Sequence, residues 1–199
     1  MLLYWSIFDI VYFLGIFVGT PLIRWPHNKV HQTTDSVKKN ADTLENALLG
    51  LVFIGGMIVP ALYLFTPLLN FANYELPLTA GIVGTLLLPL FWWIFWRSHH
   101  DLGRQWSPTL EIRDSHRLVT VGIYQYIRHP MYTAIYLSTL CQLLLLGNWL
   151  AGPSYLVAFT IMYVLRVRKE EAFMREQFGE DYSQYMTKTG RLAPRLPLK

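Results

Sequence analysis

From residue 131 to residue 165 the chain carries no Asp, Glu, Lys or Arg. A helix crosses the ~30 Å hydrocarbon layer of a bilayer with roughly 20 apolar residues. The uncharged run is too long for one such crossing. Its middle reads GNWLAGP, residues 147–153, where Gly, Asn and Pro cluster as a turn signal. The pattern predicts a helical hairpin with arms over residues 131–146 and 149–165. Three further apolar stretches, 2–23, 47–65 and 76–96, are each long enough to span. The expected fold is an all-α integral membrane bundle of five transmembrane helices. Composition agrees: 53% of residues are hydrophobic and 15% charged, against roughly a quarter charged in a soluble domain.

The basic residues test the number of spans. Cytoplasmic loops are enriched in Lys and Arg. Arg24, Lys29, Lys38 and Lys39 lie between the first two spans, and Arg97, Arg104, Arg113, Arg117 and Arg128 between the third and fourth. Eight more follow the fifth, which completes the 17 in the chain. Five spans with the N-terminus outside put them all on the cytoplasmic face, and an even number breaks the pattern. The expected location is a cell inner membrane or the endoplasmic reticulum. No cleavable signal peptide is expected, because the first span lacks a basic leader and more spans follow. Residues 1–97 form the N-terminal three-helix part. Residues 98–199 hold the hairpin, a cytoplasmic C-terminal helix and a cofactor-binding region.

Several functions drop out. There is no phosphate-binding glycine loop of either common type. The basic segments are cytoplasmic loops and not a nucleic-acid surface. The single cysteine, Cys141, excludes an intrachain disulfide and reads as a core residue. Six histidines, among them His99, His100, His116 and His129, are too few for the histidine boxes of membrane di-iron oxidases, so no metal is expected. A transporter places polar groups at mid-bilayer, and the later spans are almost bare of charge. Asp9, in the first span, is a buried carboxylate and a functional candidate by its position.

The polar material flanking the hairpin carries the chemistry. The fourth span opens with GIYQYIRHPMY, residues 122–132. Proline suits the first helical turn, so Pro130 marks the helix start, with His129 at or near the N-cap. Free N–H groups and the helix dipole favour an anion there, and Arg128 adds a bidentate donor. Headgroup anchoring explains the same residues. Beyond the hairpin, Arg166 and Glu170 share a helix face, as do Glu171 and Arg175. A surface ion pair is sufficient for Glu171 with Arg175. Residues 102–122 lack a helical period and read as a loop. Trp92, Trp93 and Trp96 fit an aromatic belt at the end of the third span or a lining for a lipophilic substrate.

LGRQWS, HRLVTVGIYQYIRHPMY, the pair Glu170-Glu171, and FGEDYSQY followed by Arg191 and Pro194 occur in this order over residues 102–194. The set resembles the isoprenylcysteine carboxyl methyltransferase family and its relative, phospholipid N-methyltransferase. The resemblance implies a small bundle of membrane helices and the cofactor S-adenosylmethionine. By position it implies cofactor contacts at Glu111, His116, Arg117, Leu118, Val119, Tyr124, His129, Pro130, Met131, Tyr132 and Glu170. It places Arg166 at the substrate carboxylate, and Arg166, Arg128 and Glu170 among the catalytic groups. A carboxylate acceptor is already ionised and needs positioning more than a base. The substrate would be lipophilic or lipidated and would come from the bilayer. The chain is shorter than the eukaryotic members, which carry further N-terminal spans. The acceptor therefore stays open between an isoprenylcysteine and a smaller isoprenoid or lipid acid. Two rivals share related C-terminal sequences: phospholipid N-methylation, and NADPH-dependent sterol or isoprenoid reduction. A non-catalytic membrane scaffold is a third.

Overall fold

The computed structural model describes residues 5–32, 38–39, 43–103, 111–112 and 118–195. The molecule is mostly helical. The first helix comprises α1 (Ile7–Tyr12), a π-helical segment (Phe13–Gly19) and α2 (Thr20–Gln32). The second comprises α3 (Thr43–Phe53), a π segment (Ile54–Ile58) and α4 (Val59–Phe65). Then follow α5 (Leu78–Leu102), α6 (Pro130–Leu145) and α7 (Ala151–Lys188). The one described ladder is short: β1 (Lys38–Lys39) pairs antiparallel with β2 (Glu111–Ile112), Lys39 opposite Glu111.

Three helical stretches are long and apolar enough to cross a membrane: Ile7–Pro26, Thr43–Phe65 and Leu78–Leu102. Their outward side chains are apolar, as at Leu14, Leu22, Phe53 and Leu86. The third helix runs on past Trp96, and within it Ser98 Oγ donates to Ile94 O at 2.7 Å and His99 Nδ1 lies 2.8 Å from Phe95 O. It ends at Gly103, whose φ of 53° is a conformation that suits glycine.

Helix α6 has 16 residues, about 24 Å of rise. The turn after it is pinned by buried Asn148. Asn148 Nδ2 donates to Leu69 O and to Asn73 Oδ1, each at 2.7 Å. Its Oδ1 accepts from the amides of Leu150 (3.0 Å) and Ala151 (2.9 Å) and so caps α7. The second arm thus starts at Ala151, and Pro153 falls in its first turn. Helix α7 continues through Arg166 as one element of 38 residues, kinked at Gly179, where φ is 53°.

Small residues and buried polar groups set the close approaches. Tyr12 Oη donates to Gln142 Oε1 at 2.7 Å, and Gln142 Nε2 donates to Gly55 O (3.1 Å) and Ala151 O (2.6 Å). Ser154 Oγ also donates to Gly55 O, at 2.7 Å. Trp92 Nε1 donates to Gly15 O at 3.1 Å. Each π segment therefore offers a glycine carbonyl to a neighbouring helix. Trp92 is half-buried against the core, and Trp93 and Trp96 are exposed. Asp9 forms a capping box with Ser6, whose N–H donates to Asp9 Oδ2 at 2.8 Å. That accounts for a buried carboxylate at a helix start. One core joins Tyr12, Leu64, Phe91, Tyr124, Cys141 and Leu145. A second joins Leu48, Tyr132, Phe159, Met162 and Val167.

Candidate active site

The site is built where the N-terminus of α6 meets the far half of α7. His129 is the N-cap and Pro130 the first helical residue of α6. Just upstream, residues 118–125 are held against α5 by Asp101. Its Oδ2 accepts from Ile123 N at 2.7 Å and lies 2.9 Å from Arg97 Nε. Gly122, with φ of 63°, passes directly over that carboxylate, where a Cβ would collide with it. After α7 the chain returns to the start of α6. Arg128 N donates to Gly190 O (2.8 Å), His129 N to Arg191 O (3.0 Å), and Thr133 Oγ1 to Leu192 O (2.7 Å).

Two adjacent glutamates of α7 divide this region. Glu171 is sealed in, its side chain 2% exposed. Arg191 grips it with two donors, Nε at 3.0 Å and Nη2 at 2.5 Å. Arg128 Nε donates to it at 3.3 Å, and His129 Nε2 lies 3.4 Å away. Burial by itself would raise its carboxyl. The bonds from His129 and Arg191 outweigh burial and hold it well below the usual carboxylate range. The same bond holds Arg191 above its ordinary value. The expectation of a surface pair between Glu171 and Arg175 is overturned, because Glu171 faces the start of α6 and the returning C-terminal chain.

Glu170, one residue earlier, is 25% exposed at its side chain. Its Oε2 accepts from Tyr132 Oη at 2.5 Å, and His129 Nδ1 lies 3.8 Å from Oε1. His129 and Tyr132 stack, with centroids 5.3 Å apart and planes 12° apart. Phe159 and Tyr163 meet Tyr132 edge-on. Arg166 Nε is 3.9 Å from Glu170 Oε2, and its Nη2 is 3.1 Å from Glu45 Oε1 on α3. The sequence pattern showed the Arg166–Glu170 spacing but not Glu45. An acidic residue in a first helical turn was the available signal.

Of the expected site residues, Arg128, His129, Pro130, Tyr132, Arg166 and Glu170 come together here. Arg128 also donates through Nη1 to Met186 O (3.1 Å) and to Thr189 O. Met131, Val119 and Tyr124 pack in the larger core. Tyr124 Oη donates to Ser98 O at 3.3 Å, and its carbonyl accepts from Tyr185 Oη at 2.5 Å. Burial pushes the Tyr185 hydroxyl up to about 12, so it stays a donor at neutral pH. Leu118 is half-buried, and Glu111 sits in β2 opposite Lys39. His116 and Arg117 lie outside the described residues.

This arrangement can offer a cation a water-facing carboxylate beside a stacked aromatic pair. The model of the isoprenylcysteine carboxyl methyltransferase family matches residues 78–176, which run from α5 through both glutamates. Residues 78–176 belong to this family. The protein-S-isoprenylcysteine O-methyltransferase of Schizosaccharomyces pombe is 35% identical over 82 residues, 41% of this chain and 35% of that protein. The human enzyme of that name is 33% identical over 75 residues, 38% and 26%. A probable one from Oryza sativa subsp. indica is 30% identical over 88 residues, 43% and 46%. The matches thus span less than half of each relative. The solved structure of a eukaryotic intramembrane Ras methyltransferase of this family superposes with a TM-score of 0.54 at 22% identity, covering 92% of this chain and 67% of that one. The helical bundle is therefore the membrane fold of the isoprenylcysteine carboxyl methyltransferases.

Proposed function

We propose that this protein is an S-adenosylmethionine-dependent methyltransferase that methylates the carboxylate of a lipophilic acceptor, an isoprenylcysteine or an isoprenoid or lipid acid. The observation that carries the reading is Glu170: a partly exposed carboxylate against the His129–Tyr132 stack, at the helix start that the family match includes.

These residues fit the cofactor. Of the two adjacent glutamates, Glu171 is neutralised by its arginines, whereas Glu170 faces water and can receive an ammonium group. The Tyr132 ring beside it suits a cationic centre. The N-terminus of α6 can take a carboxylate. His129, Pro130 and Met131, with Leu118, Val119 and Tyr124 behind them, form that wall in this proposal, and Glu111, His116 and Arg117 close it. The bound cofactor supplies an activated methyl group. The protein's part is orientation: Glu170 fixes the cofactor, and Arg166, anchored by Glu45, positions the acceptor. Arg128 acts as a positioning residue, because its donors tie Glu171 and the end of α7 to the start of α6.

The finer membrane reading belongs to the same proposal. The chain crosses five times, with α6 and the apolar half of α7 as the last two crossings and the N-terminus outside. Residues 1–97 bound the lipid side and residues 98–199 the cofactor region, at the cytoplasmic face. The partners are membrane lipids and the lipophilic or lipidated acceptor.

Calorimetric titration of the detergent-purified protein tests the reading. S-adenosylhomocysteine is expected to bind, and Glu170→Gln to weaken it roughly tenfold, the loss of one charged hydrogen bond. Binding of NADPH instead would favour the reductase and end the methyltransferase reading.

A further inference from the structure

Arg166 stands between two carboxylates. Its Nη2 lies 3.1 Å from Glu45 Oε1, and its Nε lies 3.9 Å from Glu170 Oε2. The neighbouring cluster is built the other way round, with Arg128 and Arg191 both meeting Glu171. Glu45 comes from the first turn of α3, within the candidate span Thr43–Phe65, and is 8% exposed. An acid at membrane depth is costly and characteristically marks function. One carboxylate suffices to hold an arginine, and Glu170 already supplies the i,i+4 partner. A second acid, buried and in excess of the cation, needs a further reason.

The chemistry of a carboxylate acceptor supplies one. In methyl transfer a carboxylate oxygen donates its lone pair to the methyl carbon, the broken S–C bond leaves its electron pair on sulfur, and no proton moves. The acceptor enters as an anion and leaves as a neutral ester, so part of its charge is already lost in the transition state. An uncompensated guanidinium beside it therefore stabilises the ground state more than the transition state, which slows the step. A carboxylate 3.1 Å from the same guanidinium offsets part of that charge. Arg166 then orients the acceptor without clamping it. Room for the acceptor's apolar part lies alongside. A cavity of about 760 Å³, with Arg24 on its wall, is also lined by Leu49, Val52 and Ile135, which pack in the cluster of Leu48 and Tyr132.

We propose that Glu45 is a positioning residue that weakens the grip of Arg166 on the acceptor carboxylate and so favours turnover over tight binding. Its consequence for catalysis rests on the methyltransferase reading; its restraint on carboxylate binding at Arg166 needs no methyl transfer. Restraint and simple anchoring differ in sign. If Glu45 only held Arg166 in place, its removal would loosen the binding of an acid. If it restrains Arg166, its removal tightens that binding.

The test uses the full-length protein in non-ionic detergent without cofactor, titrated with N-acetyl-S-farnesylcysteine and with its methyl ester. Glu45→Gln is expected to bind the acid roughly tenfold tighter, the worth of a charged hydrogen bond, and the ester as the wild type does. Glu45→Asp, which keeps the charge, should stay close to the wild type. Adding Arg166→Gln to Glu45→Gln should remove the gain, which assigns it to Arg166. A cooperative thermal melt reports that each variant is folded. In turnover with S-adenosylmethionine and the acid, Glu45→Gln should lower KM and also lower kcat. Weaker or unchanged acid binding by Glu45→Gln, an equal gain for the ester, a gain that survives Arg166→Gln, or a kcat that does not fall would each overturn the assignment. Tighter acid binding by Glu45→Gln, with no methyl transfer to any carboxylate by the wild type, would leave the restraint on Arg166 standing and remove the methyltransferase reading.

Discussion

Successive helical residues are rotated by about 100°, and at Glu170 and Glu171 that rotation separates two chemistries. One carboxylate faces water beside Tyr132. The other is buried under Arg191, Arg128 and His129. The sequence showed both as acidic residues on the helix that continues from the hairpin, Glu170 spaced to meet Arg166 and Glu171 to meet Arg175. Which of them is buried it did not show, because the partners of Glu171 are 43 and 20 residues away along the chain. Removing one member of a buried ion pair leaves charge uncompensated. Glu171→Gln is expected to cost about 3 kcal/mol of stability, toward the low end because Arg191 is 41% exposed and water screens it. The pH dependence has a definite sign. The folded carboxyl titrates below its unfolded value of about 4.3, so the contribution is complete above that pH and is lost as pH falls through the folded value. Thermal melts should show the wild type losing stability below about pH 4.3, with this component missing in Glu171→Gln. Parallel melting curves for the two proteins across that range would contradict the assignment.

At the scale of elements, packing is governed by where two backbones touch. A Cβ on Gly55 would lie 2.6 Å from Ser154 O and 2.9 Å from the Ala158 Cβ, both on α7. Gly50, on the same helix, meets nothing within 4 Å. The two glycines thus predict opposite effects. Gly55→Ala should destabilise by about 2 kcal/mol, as overpacking does. Gly50→Ala should stabilise by about 0.5–1 kcal/mol through reduced backbone freedom in the unfolded chain. Scanning fluorimetry of the purified variants distinguishes them, and shifts of the same sign would refute the close-approach account. The sequence revealed the turn at residues 147–153 through its Gly, Asn and Pro but not that Asn148 would cap α7 and tie it to Leu69 and Asn73. It also held no cue to the π segments, within which Gly15 and Gly55 offer their carbonyls to side chains of neighbouring helices.

For the whole molecule, the proposed five crossings would place residue 71 and residue 183 on opposite sides of the membrane. Phe71 is exposed and Ser183 half-buried, whereas Cys141 is buried. In a Cys141→Ala background, an impermeant maleimide applied to intact cells should label Phe71→Cys. Ser183→Cys should react only after the membrane is opened. Labelling of both from one side would rule out the five-crossing arrangement. The same proposed topology would put Arg191, Arg128 and the two glutamates on the face where the chain's basic residues are expected to gather.

Residue order alone carries the apolar helices, the hairpin turn, the helix start at Pro130 and the match of residues 78–176 to a methyltransferase family. These follow from local hydropathy, turn residues and ordered short motifs, which need no knowledge of what lies across the bundle. That Glu171 is sealed, that Glu45 anchors Arg166 and that Arg24 lines a cavity emerge only in three dimensions. Each of those depends on groups distant along the chain meeting at short range, and desolvation and Coulomb energies act on that spatial distance rather than on sequence separation.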